Sequence, residues 1–113
     1  MTDGPTFRSN REVAIHVPDL ERAEAFYVGV LACRVVSRSP DQLDLDTGQL
    51  RLYVNRDPGA PLGYIPSFDV ADYAAARAHL ERAGCETVPV EGHPGLVYFR
   101  DPYGFVFDIV ERK

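Results

Sequence analysis

Along most of the chain, apolar and polar side chains alternate with a period of two, and twice this gives way to a helical spacing. EVAIHV (12–17) sets Val13, Ile15 and Val17 against Glu12, Ala14 and His16. LRLYV (50–54) sets Leu50, Leu52 and Val54 against Arg51 and Tyr53. That period describes a strand with one face on a core. Pro18 and Asp19 stop the first strand, and Asp19 is placed to cap a helix over LERAEAFYVGVL, with Glu21 and Glu24 near its positive end. Leu20, Ala23, Phe26, Tyr27 and Val30 recur at helical spacing and form the expected buried stripe. Strands over 33–37 and 43–46, then a turn at Thr47-Gly48, lead into LRLYV, so the first module reads β-α-β-β-β. Residues 1–10 read as a flexible lead-in.

After the linker NRDPGAPLG (55–63) the order repeats. YIPSFDV (64–70) carries Phe68 and Val70 on one face and Ile65, Ser67 and Asp69 on the other. Asp72 caps a helix, YAAARAHLERAG, that Gly84 ends. Strands over 87–90, 96–100 and 105–111 follow, the last two joined by the turn Asp101-Pro102-Tyr103-Gly104. Val17 to Val70 and Asp19 to Asp72 are each 53 positions apart, whereas Cys33 to Cys85 is 52, a one-residue slip at the helix end. The expectation is an α+β fold of two β-α-β-β-β modules with pseudo-two-fold symmetry, about 11–56 and about 62–112, in one domain over 1–113. Each half is of marginal size to fold alone, so the two must bury their apolar faces jointly, within one chain or between chains.

Composition narrows the function classes. A chain of 113 residues with 45% hydrophobic content can build one core. A net charge of −5 argues against nucleic acid, whose phosphates call for a basic surface. No apolar run approaches a membrane span, and MTDGPTFRSN lacks the apolar stretch of a signal peptide. Two cysteines without CxxC spacing suit a reducing compartment, so the expected location is cytoplasmic. Cys33 and Cys85 read as buried, inert thiols.

VPDLERAEAFYVGVL (17–31) and RDPYGFVFDIVE (100–111), with VADYAAARAHLERAG (70–84) as the second helix, resemble the vicinal oxygen chelate superfamily. That superfamily includes glyoxalase I, extradiol dioxygenases and bleomycin-resistance proteins, and the resemblance covers about 11–112. It implies modules whose sheets curl around a cleft, commonly in a homodimer. In metal-using members it implies one His, Glu or Gln ligand on the first and last strand of each module. The corresponding positions here are Glu12, Arg51, Ile65 and Asp108. Isoleucine has no donor atom, and arginine is a permanent cation. A slip of two along the strands keeps the face and brings in Tyr53 and Ser67, still a poor set. His16 shares the face of Glu12 but lies about 13 Å away by strand rise, too far to share an ion. The expectation is therefore no metal and no cofactor. Arg51 would lie between Glu12 and Asp108 and replace the metal's charge, as a plain ion pair or as the contact for a ligand's carboxylate, enolate or phosphate.

The candidate ligand cleft comprises Glu12, His16, Arg51, Tyr53, Ser67, Asp69, Tyr98 and Asp108, with His16 as the candidate general base. The tyrosines can stack on a flat ligand or simply pack within the sheet. The loop EGHPG (91–95), carrying His93, is a candidate cover. The expected function is a metal-free binder that sequesters a drug or metabolite. The alternative is a lyase, isomerase or dioxygenase of the same superfamily acting on a small carbonyl or aromatic compound. The expected partners are a small-molecule ligand and a second copy of the chain, with no nucleic acid and no membrane.

Overall fold

The computed structural model describes residues 4–59, 63–90 and 96–112. The chain divides into two compact units, one of Arg11–Ile65 and one of Pro66–Lys113 together with the N-terminal residues through Asn10. Both are mixed α+β, and both follow the order strand, helix, three strands.

In the first unit β1 (Arg8–Val17, of which the unit takes the part from Arg11 on) is followed by α1 (Leu20–Glu24), a π-helical segment (Ala25–Val30), β2 (Arg34–Arg38), β3 (Gln42–Asp46) and β4 (Arg51–Arg56). The strands lie in the order β2-β3-β4-β1, with β1 parallel to β4 and the other pairs antiparallel. Residues 8–10, expected to be a loose lead-in, are already strand. The alternation holds: Ile15, Leu43, Leu45, Leu52 and Val54 are buried with Ala23 in one aliphatic cluster. Burial of each such Leu, Ile or Val side chain is worth about 1.5–3 kcal/mol.

In the second unit β5 (Ile65–Val70), α2 (Tyr73–Arg82), β6 (Glu86–Pro89), β7 (Val97–Arg100) and β8 (Val106–Glu111) lie in the order β5-β8-β7-β6, with β5 parallel to β8. Its core is aromatic. Phe99 is fully buried, its ring centre 6.0 Å from Phe107 and 6.5 Å from Tyr73, and Phe107 meets Phe68 edge-on at 5.9 Å. Asp101 shapes the β7–β8 turn by accepting from the backbone N–H groups of Tyr103 and Phe105 at 2.8 and 2.9 Å.

Both aspartate caps form, Asp19 accepting from the Arg22 N–H at 3.1 Å and Asp72 from the Ala75 N–H at 3.0 Å. Beyond the caps the two helices diverge. α2 runs as one α-helix and ends at Gly84, in the left-handed region at φ 97°, with the Cys85 N–H closing back onto the Leu80 carbonyl at 3.0 Å. The first helix keeps α geometry for only five residues and then widens into the π segment, where the Leu31 N–H reaches the Phe26 carbonyl five residues back at 3.1 Å. A wider turn takes up more chain, which accounts for the one-residue slip between Cys33 and Cys85. Val28, Gly29 and Val30 are weak helix formers that give α geometry little support there.

The widening also breaks the expected buried stripe. Ala23 is buried, but Phe26 is 49% and Val30 68% exposed, and Val28 packs on the core instead. The segment ends at Ala32, a residue with a β-carbon held at φ 61°, with Cys33 N–H on the Tyr27 carbonyl at 2.9 Å.

Candidate functional site

The face of each sheet turned away from its helix is polar, and the sequence-predicted site residues divide between the two units. In the first unit, strand pairing sets Glu12 beside Arg51 and Arg51 beside Asp46, which in turn pairs with Arg34. The next rung holds Ala14, Tyr53, Asp44 and Ser37, and a third holds His16, Asn55 and Gln42. Because Leu43 and Leu45 point into the core, Asp44 must point the other way, onto the face of Arg51.

That placement answers for the arginine. The sequence offers Glu12 and Asp108 as partners of Arg51; within its own unit the structure adds Asp44. The Arg51 Nη1 donates to both carboxylate oxygens of Asp44, at 3.1 and 3.3 Å, across one rung of the ladder. The long side chain leans diagonally to an acid anchored by Ser37, whose hydroxyl lies 3.4 Å from Asp44 Oδ2. The Arg51 side chain is 40% exposed and that of Asp44 11%, so the carboxylate is the fixed end and the guanidinium the presented end. Tyr53 sits among these charges. Burial pushes its phenol pKa up, and the negative charges of Glu12 and Asp44 add to that, while Arg51 opposes it.

His16 is 3% exposed, and its Nδ1 lies 3.0 Å from Asp57 Oδ2. Asp57 also accepts from the Gly59 N–H at 2.9 Å, and its own N–H donates to the Val17 carbonyl at 2.8 Å. The pair therefore anchors the chain just after β4. It has the form of a carboxylate-oriented imidazole, with little of the residue surface open to a substrate.

In the second unit the register sets Ser67 opposite Asp108. Ser67, not Ile65, is thus the strand neighbour of Asp108, and Ile65 is fully buried. The Ser67 hydroxyl is 3.5 Å from Asp108 Oδ2 and accepts from the Asn10 amide at 2.8 Å. The same amide donates to Asp69 at 3.1 Å, and Arg112 approaches Asp69 at 3.4 Å. Tyr98 is buried, which leaves its ring little area for stacking on a ligand. The 91–95 loop with His93 lies outside the described residues.

Asp44, Asp57 and Asn10 were missed as site residues. Asp44 was legible in the alternation of QLDLD. Asp57 lay in a stretch that reads only as linker, and Asn10 in one that reads as a loose end.

These donor sets do not fit a divalent ion. One pair combines Glu12 with a guanidinium neighbour; the other combines Asp108 with a neutral hydroxyl. Among the described residues no three His, Cys, Asp or Glu side chains group around a common point. Also among these residues, no helix is long and apolar enough to cross a membrane. Both cysteines are half-buried free thiols, and burial raises the Cys85 thiol pKa, with the Asp101 charge adding to it.

A family model for the glyoxalase-like domain matches residues 12–110. The chain belongs to that family. The match takes in both polar faces and agrees with the vicinal oxygen chelate signature of the sequence. The homoprotocatechuate 2,3-dioxygenase of Brevibacterium fuscum, in complex with 3,4-dihydroxyphenylacetate, superposes with a TM-score of 0.68 at 22% identity over 97% of this chain. A room-temperature structure of an extradiol ring-cleaving dioxygenase from B. fuscum gives a TM-score of 0.69 at 21% identity, again over 97% of this chain. This glyoxalase-like chain spans 34–38% of the length of those dioxygenase chains, and the likeness is one of fold. No curated protein matches it by sequence.

Proposed function

We propose that this glyoxalase-like protein is a metal-free small-molecule binder whose ligand contacts Arg51. The observation that carries this reading is the Arg51–Asp44 pair. A guanidinium stands at a position where metal-using relatives of the superfamily would need a donor, and it is oriented at 3.1 Å by an acid that is itself nearly buried. Asp44 holds Nη1 of a side chain that is 40% exposed, and a guanidinium so oriented suits a carboxylate, enolate or phosphate on the ligand. Sequestering a metabolite or drug fits such a site, and the same reading takes the protein as a cytoplasmic homodimer, which sedimentation well above 12.6 kDa would support.

The alternative is a lyase, isomerase or dioxygenase acting on a small carbonyl or aromatic compound. One observation favours it, the His16–Asp57 bond, which is how a general base is oriented. The burial of His16 counts against it.

The test is a thermal-shift screen of small carboxylates, phosphates and cationic aromatics on wild type and Arg51→Met, alongside metal analysis of protein purified without chelator. Anionic hits that Arg51→Met loses support the proposal. Stoichiometric metal retained through gel filtration, or anionic hits unchanged in Arg51→Met, would overturn it.

A further inference from the structure

On the opposite face of the first unit's sheet, beside the π segment, lies an open pocket of about 510 Å3. Its size falls within the roughly 300–1,000 Å3 of sites that take drug-sized ligands. Leu52 and Val13 form the floor on β4 and β1, while Leu31 and Leu50 stand at the rim, each about half exposed. Among the described residues that line it none carries a formal charge, so an ionised ligand would lose its hydration against them without compensation. An aliphatic floor of this kind gains most from covering by an uncharged ring.

One polar handle reaches in. Tyr27, from the π segment, and Tyr64 line the pocket and hydrogen-bond each other. The bond and burial push the Tyr27 pKa up to about 12. A phenol pair uses one O–H between its members and leaves the other for a ligand, and Tyr64, two-thirds exposed, is the one placed to present it. The other lining hydroxyl, Thr47, already donates to the Leu50 carbonyl at 2.9 Å. The described lining therefore offers one O–H donor over an apolar floor.

We propose that this pocket is a separate ligand site, on the helix side of the sheet, for an uncharged aromatic molecule with one hydrogen-bond-accepting oxygen, as in an aryl ketone. The site is independent of Arg51, which points from the other face. The π segment creates it, since the same widening carries Phe26 and Val30 outward and leaves Tyr27 to line the cavity.

Benzophenone and diphenylmethane, which differ in the carbonyl oxygen, are the probes, applied by equilibrium dialysis to wild type, Leu50→Trp, Tyr64→Phe and Arg51→Met. The expected result is about one benzophenone per chain, weakened about tenfold by Leu50→Trp, which fills the rim. Tyr64→Phe should weaken benzophenone about fivefold, the worth of one hydrogen bond, and leave diphenylmethane unchanged. Arg51→Met should change neither. Ultraviolet irradiation should attach benzophenone to Leu31, Leu50 or Leu52, read by peptide mass mapping. Attachment elsewhere, no saturable binding, or binding indifferent to Leu50→Trp would overturn the proposal. So would sedimentation showing a dimer that Leu50→Trp dissociates, since a second copy would then be the occupant.

Discussion

The two units build the same β-α-β-β-β order with different materials. Aromatic rings close the core of the second unit, where Phe99 meets Phe107 and Tyr73 beneath a regular α-helix. The first unit packs Leu, Val and Ile under a helix that widens after five residues, and its aromatic residues Phe26 and Tyr27 lie at the surface and the pocket wall. The polar faces differ in the same sense. One is a ladder of full charges around Arg51, the other a small network centred on the Asn10 amide. A duplicated architecture thus has one half committed to packing and the other to presenting groups.

The largest test of that contrast is in the cores. Phe99→Ala should cost about 3–5 kcal/mol, because a fully buried ring leaves a cavity that neighbouring rings cannot collapse into. Leu45→Ala, also fully buried, should cost about 2–5 kcal/mol and fall below Phe99→Ala, since it removes less volume and flexible aliphatic neighbours relax more easily. Urea unfolding of both variants measures this. A larger loss for Leu45→Ala would mean that the aliphatic core is the more tightly packed one.

The polar faces come next. Asn10→Ala removes the donor to Ser67, which is buried, and to Asp69, and should cost about 1–2 kcal/mol. Arg51→Met breaks a pair whose cation is 40% exposed, so solvent screening limits the loss to about 1 kcal/mol or less, shrinking further in salt. Chemical denaturation at low and high ionic strength separates the two. Equal losses that ignore salt would contradict the picture of an amide-centred network on one face and a screened ion pair on the other.

Much of the fold was legible because its signals are local. The alternation in EVAIHV and LRLYV, the caps at Asp19 and Asp72, and Gly84 each depend on a few adjacent residues, and each does in the structure what its chemistry requires. The partner of Arg51 was harder to read, because it depends on the register between β3 and β4 and on a diagonal reach of one rung, and neither is local. The π segment was visible only as the 52-residue interval between the cysteines among intervals of 53. A spacing slip says that one residue is extra but not which turn absorbs it.

The helix ends offer a smaller and cleaner comparison. Ala32 and Gly84 both sit at positive φ, one with a β-carbon and one without. Ala32→Gly should raise stability by about 0.5–1 kcal/mol, the left-handed strain of an L-residue less the extra chain entropy of glycine. Gly84→Ala should lower stability by about 1 kcal/mol; since a β-carbon there would meet nothing within 4 Å, that cost is conformational, not steric. Thermal melts of the two variants shifting in the same direction would show that the two helix ends are not equivalent caps.

The finest discrimination is alkaline titration of a tyrosine from each unit. Tyr27 has its pKa pushed up to about 12, first by its hydrogen bond to Tyr64 and then by burial. Tyr73 in α2 is also raised, chiefly by burial, with Arg77 opposing and Asp108 adding. A folded-state pKa above the unfolded value near 10 means that the folded protein holds the phenol proton more tightly. The stabilisation from Tyr27 is therefore complete below pH 10 and is lost as the pH climbs from about 10 to about 12. Tyr64→Phe removes the hydrogen-bond partner and should flatten that decline. Tyr73→Phe should flatten it less, since Arg77 already offsets part of the shift there. Urea unfolding at pH 9, 10 and 11, with near-ultraviolet tyrosinate absorbance as a second readout, measures both slopes. A decline as steep in Tyr64→Phe as in wild type would show that burial alone holds the Tyr27 proton, and the hydroxyl pair would lose its part in the pocket.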